Sequence, residues 1–273
     1  MTSHDEIVAA REALLRRTVA YFAEQPDVVG MFLAGSLPAG SADAYSDIDL
    51  RVIATPEGHA RLVAHRLLAP GHWGDLLFNE WLDGTQHCVS HFRPFLKIDV
   101  FYWNTTMFQP SPWFKFPAAI LLDRTGIIEQ VLSRSAELPF PAVSETEVSR
   151  VLSKALAAAH EVVRRARRGE LVFAQSLLEE LRSYMIRLDE WLLRFDRTTP
   201  SDHKVDHRMS PLLSSALRAS YVPLDAGALD EAVVALGEVL LQQIPDLHGA
   251  FALGRSLEND LHAARIVTTR QVA

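Results

Sequence analysis

The hydrophobic periodicity of this chain changes once, near residue 141. Before that point, short apolar or alternating runs typical of strands lie between helical stretches. After it, every long stretch repeats its apolar residues about every 3.6 positions, as amphipathic helices do. Because the proline-containing segment 138–141 separates the two patterns, we expect an α+β protein. Residues 1–140 would form an α/β domain with a mixed sheet, and residues 141–273 a helical bundle domain.

The same patterns predict individual elements. In the first half we expect helices over residues 3–24 and 56–68, and strands over residues 28–34, 47–54, 76–81, 85–92 and 95–103. In the second half we expect five helices, over residues 145–168, 171–195, 207–220, 226–243 and 247–265. Ser144, followed three residues later by Glu147, forms a capping box that predicts where the first of these five helices begins.

Composition excludes several classes of protein. A chain of 273 residues with 48% hydrophobic side chains can bury a real core, which excludes wholesale disorder. Cys88 is the single cysteine, so an internal disulfide and a cysteine-rich zinc site are excluded, and a reducing compartment is expected. The net charge of −7 argues against non-specific nucleic-acid binding, which needs surplus Lys and Arg. Without a signal peptide or a long apolar run, the chain is expected to be soluble and cytoplasmic.

Three carboxylates and a glycine–serine pair form the most informative pattern. Gly35-Ser36 directly follows an apolar run, Asp47 and Asp49 come after a gap of ten residues, and Asp99 lies on a later alternating strand. Two acids two positions apart on a strand project to the same side, where a cation would relieve their repulsion. Hard oxygen ligands suit Mg²⁺, which takes further ligands from water and substrate phosphates. Since a glycine–serine turn lets backbone amides approach phosphate oxygens, the pattern indicates phosphoryl or nucleotidyl chemistry.

This pattern resembles the nucleotidyltransferase superfamily that is built around the catalytic domain of DNA polymerase β. The resemblance covers about residues 28–103, where a strand, a Gly-Ser turn, a limited gap and a second strand with both acids in phase follow one another. A compact catalytic half followed by a helical half looks most like the antibiotic nucleotidyltransferases, which modify aminoglycosides or lincosamides. The resemblance therefore implies a catalytic domain at residues 1–140 and a substrate-binding domain at residues 141–273.

The resemblance also implies a role for each residue of the pattern. Asp47 and Asp49 would bind Mg²⁺ with the triphosphate, and Gly35 and Ser36 would hold its β/γ-phosphate end. Asp99 would be the third carboxylate, as a metal ligand or as the general base, and its spacing leaves both roles open. The implied reaction is in-line attack of a small-molecule hydroxyl on the α-phosphate of ATP, or another nucleotide, with release of pyrophosphate. A nucleic-acid or membrane partner is not expected.

Two further residues carry a functional and a structural interpretation side by side. Ser46 ends the loop before the acids, where a serine binds a ligand or simply stabilises a turn. Lys154 lies one turn into the first helix of the second half, where the resemblance places a lysine that contacts nucleotide phosphates. A solvated helix charge explains Lys154 equally well.

Two alternatives to a small-molecule transferase remain open from the sequence. The same chemistry can act on a protein side chain or an RNA end. Binding of an RNA acceptor would require a basic surface, which this acidic composition does not indicate. A catalytically inert relative would bind nucleotide without transferring it. The presence of Gly35, Ser36 and all three acids argues against the inert relative, because loss of one acid is the simplest route to inactivity.

Overall fold

The computed structural model describes residues 3–81, 84–193 and 205–269. The chain divides into two compact units, Met1–Phe140 and Pro141–Ala273. The first unit is built on a six-stranded mixed sheet, and the described residues of the second unit contain helices and no strand. The α+β class is therefore confirmed, whereas the roles assigned to the two domains stay predictions. Within the described ranges, no helix combines the length and the apolar character needed to cross a membrane.

The sheet of the first unit places the acid-bearing strands side by side. Its strands are β1 Val28–Ala34, β2 Ile48–Ala54, β3 Leu76–Glu80, β4 His87–Phe92, β5 Leu96–Asn104 and β6 Ala119–Asp123. They lie in the order β3-β4-β5-β2-β1-β6. β2 and β5 pair in parallel, and all other neighbours pair antiparallel. Since β5 and β2 are the two middle strands of the sheet, Asp49 and Asp99 lie at its centre.

Helices cover both faces of this sheet. They are α1 His4–Ala23, α2 Pro56–Ala64 and α3 Ile127–Glu137. α1 and α2 pack on one face over a core that includes Phe22, Trp73 and Tyr102. A smaller core around Phe32 and Ile128 joins α3 to the other face. Because side chains alternate along each strand, Ile48, Leu50 and Val52 enter the first core, and the residues between them face the second side.

The structure of the first unit differs from the prediction in several details. β6 and α3 were not predicted; β6 has five residues, and so short an apolar segment does not distinguish a strand from part of a helix. α2 ends at Ala64 instead of residue 68, because the next residues form turns that lead into a 3₁₀ helix at Ala69–His72. β2 begins at Ile48, so Asp47 precedes the strand instead of opening it.

In the part of the second unit that the structure describes, five α-helices pack around one apolar core. They are α4 Glu145–Arg167, α5 Leu171–Leu192, α6 Pro211–Ser220, α7 Ala226–Phe251 and α8 Leu257–Thr268. The hydroxyl of Ser144 accepts a hydrogen bond from the backbone amide of Glu147 and caps α4, which is one half of the predicted capping box. α6 begins at Pro211 after the cap residue Ser210, not at residue 207. The predicted end of α5, Phe195, lies outside the described residues.

The predicted boundary between the last two helices was also wrong. A break was predicted between residues 243 and 247, yet α7 continues through this segment, which contains Pro245, to Phe251, and the chain turns at Ala252 with a φ of 48°. Pro245 is exposed, while Ile244 and Leu247 on either side of it are fully buried. Burial of those side chains outweighs the hydrogen bond that the proline removes, so tertiary packing decides where this helix ends.

Candidate active site

The parallel pairing of β2 and β5 brings two of the three acids together. Asp49 is the direct register partner of Asp99, and on its other side Asp49 lies opposite Ala34, the last residue of β1. Both aspartates point away from the core under α1 and α2, because their neighbours Leu50 and Val100 are fully buried in it. The side chains of Asp49 and Asp99 are 23% and 18% exposed, so they are largely shielded from water but still reachable.

Lys97 connects the third acid to this pair. Its ammonium nitrogen lies 2.7 Å from Oδ2 of Asp47 and 3.3 Å from Oδ2 of Asp99. Lys97 and Asp99 are two positions apart on β5 and therefore share a face of the sheet. The lysine thus draws Asp47, which precedes β2, towards the neighbouring strand and joins all three carboxylates in one cluster.

Arg51 is a second cation of the cluster, and it is held more firmly. One of its terminal nitrogens (Nη1) lies 3.7 Å from Oδ1 of Asp49, and its guanidinium stacks over the ring of Phe101 at 3.9 Å. The side chain is only 13% exposed, and burial lowers the pKa of the guanidinium. Since Arg51 and Phe101 are register partners on β2 and β5, the strand pairing itself fixes this contact.

Burial and mutual repulsion perturb two of the carboxylates. Burial raises the pKa of Asp49, and the nearby charge of Asp47 raises it further against the opposing effect of Arg51. Burial also raises the pKa of Asp99, although the ammonium of Lys97 lowers it in part. One oxygen of Asp99, Oδ1, is buried and accepts no hydrogen bond from any described residue. The cluster therefore contains three carboxylates and two cations, Lys97 and Arg51, so its negative charge is not fully balanced.

Lys97 itself responds to this surplus of negative charge. Burial alone would lower the pKa of its ammonium, but the hydrogen bond to Asp47 and the charges of Asp99 and Asp47 outweigh that effect and raise it. The lysine therefore stays charged at neutral pH, as its contacts with two carboxylates require.

The glycine–serine turn places backbone directly against Asp49. Gly35 follows β1 with a φ of +77°, a conformation that glycine adopts without strain. A Cβ atom at this position would overlap Oδ2 of Asp49 and lie 3.1 Å from its Cγ. Ser36 is half-buried, and its carbonyl oxygen accepts a hydrogen bond from the backbone amide of Ser41. The absence of a side chain at Gly35 is therefore what allows the turn to approach the acid.

Ser46 has its hydroxyl engaged within the loop that precedes the acids. It donates to Oδ1 of Asp43 at 3.1 Å and accepts from the backbone amide of Asp43 at 2.9 Å. Arg11 of α1 adds a second tie, because one of its terminal nitrogens (Nη1) donates to the carbonyl oxygens of Asp43 and Ser46 at 2.5 and 3.1 Å. These contacts explain Ser46 as a loop-stabilising residue, and its predicted contact with nucleotide stays a prediction.

Replacing Arg11 with methionine is expected to loosen this loop. Arg11 is 7% exposed, so its removal leaves two carbonyl oxygens without their charged donor. The free energy of unfolding should fall by about 1–3 kcal/mol, as measured in urea. Arg16→Met is the matched control, because Arg16 lies on the same helix but is 71% exposed in an ion pair with Glu12. Equal losses in both variants would show that Arg11 does not anchor the loop.

The last predicted site residue belongs to the second unit. Lys154 lies on α4 with an exposed side chain, between the buried residues Leu152 and Ala155. Its position on the polar face fits a solvated helix charge, and its predicted contact with nucleotide phosphates stays untested.

The donor set of the cluster suits Mg²⁺. Carboxylate oxygens are the ligands that this ion prefers, and the unpartnered Oδ1 of Asp99 is a buried acceptor that a cation would satisfy. Among the described residues, no three His, Cys, Asp or Glu side chains already stand in a metal-binding arrangement. The ammonium of Lys97 contacts oxygens of Asp47 and Asp99 that a metal ion would need.

Sequence reasoning located the acids but assigned no role to Lys97, Arg51 or Arg11. For Lys97 and Arg51 a signal was available, since each lies two positions from an acid on a strand and so shares its face. No comparable signal exists for Arg11, because its contacts with the loop connect residues more than thirty positions apart.

Comparison with known proteins gives a limited result. No protein-family model and no curated protein matches the chain. Among solved structures, the chain is similar to an aminoglycoside 6-adenyltransferase from Bacillus subtilis, with a TM-score of 0.47 and 10% identity over 100% of both chains. It is also similar to a nucleotidyltransferase-like protein from Exiguobacterium sibiricum 255-15, with a TM-score of 0.42 and 13% identity over 88% of this chain and 77% of that one.

A third similar structure is that of a CCA-adding enzyme in complex with CTP. Its TM-score is 0.32 and its identity 14%, over 98% of this chain and 65% of that one. None of the TM-scores is high enough to carry a functional argument, which rests instead on the carboxylates of β2 and β5.

Proposed function

We propose that this protein is a Mg²⁺-dependent nucleotidyltransferase that transfers AMP from ATP to a hydroxyl of a small molecule and releases pyrophosphate. The observation that carries the proposal is the cluster of Asp47, Asp49 and Asp99 beside the left-handed turn at Gly35. The small-molecule acceptor, with an aminoglycoside-type antibiotic as one candidate, follows from the resemblance of the sequence. A net charge of −7 suits a cationic acceptor better than a nucleic acid.

The residues of the site divide the work of such a reaction. Asp47, Asp49 and Asp99 would hold Mg²⁺, which neutralises charge on the triphosphate and on the leaving pyrophosphate. The turn at Gly35 and Ser36 would offer backbone amides to phosphate oxygens, because Gly35 has no side chain to keep a phosphate away. Arg51, stacked over Phe101, would attract the carboxylate of Asp49 through its charge at 3.7 Å.

The alternative role of Asp99 is to receive the proton of the acceptor hydroxyl instead of binding Mg²⁺. Burial raises its pKa, so its carboxylate is a stronger base than an exposed aspartate. Attack of the hydroxyl oxygen on the α-phosphate would then form the new ester as the bond to pyrophosphate breaks.

The test is pyrophosphate release from Mg-ATP against a panel of aminoglycosides, lincosamides and reactions without acceptor. The Asp47→Asn/Asp49→Asn double variant is assayed alongside the wild type, and Asp75→Asn serves as a matched control, because Asp75 is 67% exposed and pairs with Arg93 on the surface. We expect acceptor-dependent release in the wild type and the control, and none in the double variant.

Two results would contradict the proposal. Release that persists in the Asp47→Asn/Asp49→Asn variant would remove these carboxylates from the reaction. Absence of release with every acceptor, while ATP still binds the wild type, would contradict a small-molecule transferase of this kind and favour a protein or RNA acceptor or an inert nucleotide binder.

A further inference from the structure

Lys97 and a divalent cation would need the same oxygen atoms. The ammonium of Lys97 already contacts Oδ2 of Asp47 at 2.7 Å and Oδ2 of Asp99 at 3.3 Å. We infer that Lys97 is a built-in counter-ion that holds the metal-free site together and that a divalent cation displaces from these two carboxylates. The inference rests on the proposed function, because it takes these carboxylates as ligands of the cation.

The two cations of the cluster differ in how easily they can move. Lys97 is 36% exposed and Asp47 is 32% exposed, so their contact lies at the open side of the cluster. A lysine has a flexible four-carbon stem, and its ammonium can swing into water without disturbing the backbone. Arg51 is 13% exposed and stacked on Phe101, which keeps its guanidinium fixed. Lys97 is therefore the displaceable partner and Arg51 the permanent one.

The contacts of Asp99 indicate what the exchange involves. Its Oδ2 pairs with Lys97, whereas its Oδ1 is buried and has no hydrogen-bond partner among the described residues. Among the residues that the structure describes, no three acidic, His or Cys side chains are arranged around a common metal position. Departure of the ammonium would release one oxygen of Asp47 and one of Asp99 for ligation, in addition to the unpartnered Oδ1.

This exchange has a thermodynamic signature that a purely structural lysine would lack. If lysine and metal neutralise the same carboxylates in turn, their stabilising effects cannot add. Removing the lysine should destabilise the metal-free protein, because the acids then repel one another without a counter-ion. The same change should strengthen metal binding by about tenfold or more, because the cation no longer competes with a positive charge a few ångströms away.

The experiment compares the wild type with Lys97→Gln on the full chain at one pH. Mn²⁺ binding without nucleotide is measured from the electron paramagnetic resonance signal of free Mn²⁺, and melting temperature is measured in chelator and in saturating Mg²⁺. Arg93→Gln is the matched control: it removes one positive charge from the same unit, but Arg93 is 67% exposed and pairs with Asp75 on the surface.

We expect Lys97→Gln to bind Mn²⁺ about tenfold more tightly or better, to melt at a lower temperature in chelator, and to gain more from Mg²⁺ than the wild type does. Arg93→Gln should bind Mn²⁺ as the wild type does. If Lys97→Gln folds only with Mg²⁺ and unfolds when the metal is chelated, the result supports the inference most strongly.

Other outcomes would overturn the inference. Unchanged or weaker Mn²⁺ binding by Lys97→Gln would show that the lysine does not compete with the cation. A variant that does not fold even with Mg²⁺ present would show that Lys97 has a role which a metal ion cannot replace. These outcomes are separate from failure of the proposed function, in which the wild type would bind no Mn²⁺ or would bind it equally after Asp47→Asn/Asp49→Asn replacement.

Discussion

Replacing Asp49 with asparagine is expected to abolish transfer while leaving the metal-free protein at least as stable as the wild type. Asparagine keeps the shape of the side chain but loses the charge that would bind Mg²⁺, so the rate should fall about a thousandfold or more. The pKa of Asp49 is raised by burial and by Asp47, which means that the fold disfavours the charged carboxylate. A neutral residue at this position removes that cost.

The sign of the stability effect can be tested through its pH dependence. In its unfolded state Asp49 titrates near its ordinary pKa of 3.8, and in the folded state it titrates at a higher pH. The native protein therefore binds more protons between these two values, and the stability of the wild type falls as the pH rises through that interval. Asp49→Asn lacks this loss, so in chelator it should melt at a higher temperature than the wild type at neutral pH. The difference should shrink as the pH approaches 3.8.

Thermal unfolding in chelator across this pH range, with initial rates of pyrophosphate release, checks both parts of the prediction. Asp75→Asn is the control again, and neither its rate nor its melting temperature should change, because Asp75 is exposed on the surface. Transfer by Asp49→Asn within about tenfold of the wild type would mean that Asp49 does not take part in the reaction. A lower melting temperature at neutral pH would mean that the attraction of Arg51 outweighs burial and repulsion.

A substitution in a functional cluster such as this one is expected to lower activity and to raise stability. Buried carboxylates that repel one another cost stability in the metal-free protein, and under the proposed function they are retained for the cation they would bind. The unpartnered Oδ1 of Asp99 adds to this loss of stability, because a buried acceptor without a donor is unfavourable.

The predictable part of this protein is the part that alternation and spacing encode. β2 and β5 were located because polar and apolar residues alternate along them, and the same alternation placed Asp49 and Asp99 on one face of each strand. The sequence does not state that β2 and β5 are parallel neighbours. That pairing sets Asp49 opposite Asp99, and it depends on contacts between residues fifty positions apart.

The unpredicted part depends on tertiary contacts. β6 forms because it pairs with the outer edge of β1, and not because residues 119–123 alternate polar and apolar side chains. α7 passes Pro245 because buried neighbours on both sides of it hold the helix in the core. Arg11 acts on a loop more than thirty residues away, and no period within the sequence connects the two. Each of these features is decided by packing, which single-sequence patterns do not contain.

Gly35→Ala is expected to damage both stability and transfer, and Gly40→Ala in the same loop separates the causes. Both glycines have a positive φ, +77° at Gly35 and +66° at Gly40, so alanine at either position pays about 1 kcal/mol for a left-handed backbone. At Gly40 the added Cβ meets nothing within 4 Å, whereas at Gly35 it overlaps Oδ2 of Asp49. The overlap should cost Gly35→Ala about 1–3 kcal/mol beyond the loss seen for Gly40→Ala.

The same overlap should reach the reaction, because the carboxylate of Asp49 has to move to make room. A misplacement of about 1 Å can cost a hundredfold in rate, so transfer by Gly35→Ala should fall at least about a hundredfold, while Gly40→Ala stays close to the wild type. Urea unfolding and pyrophosphate release measure the two effects on the same samples. Equal behaviour of the two variants would show that the turn tolerates a side chain next to the acid.

A second background tests whether Asp49 is the group that a side chain at Gly35 would displace. In an Asp49→Ala protein the carboxylate is gone, and alanine at position 35 then has no oxygen atom to overlap. The stability cost of Gly35→Ala in that background should fall to about the 1 kcal/mol expected for Gly40→Ala. If the cost stays as large as in the wild type, the turn is destabilised by something other than its contact with Asp49. If the cost falls, glycine is needed at position 35 because the backbone there lies against the carboxylate of Asp49. A phosphate-binding turn beside a metal site would need such a close approach.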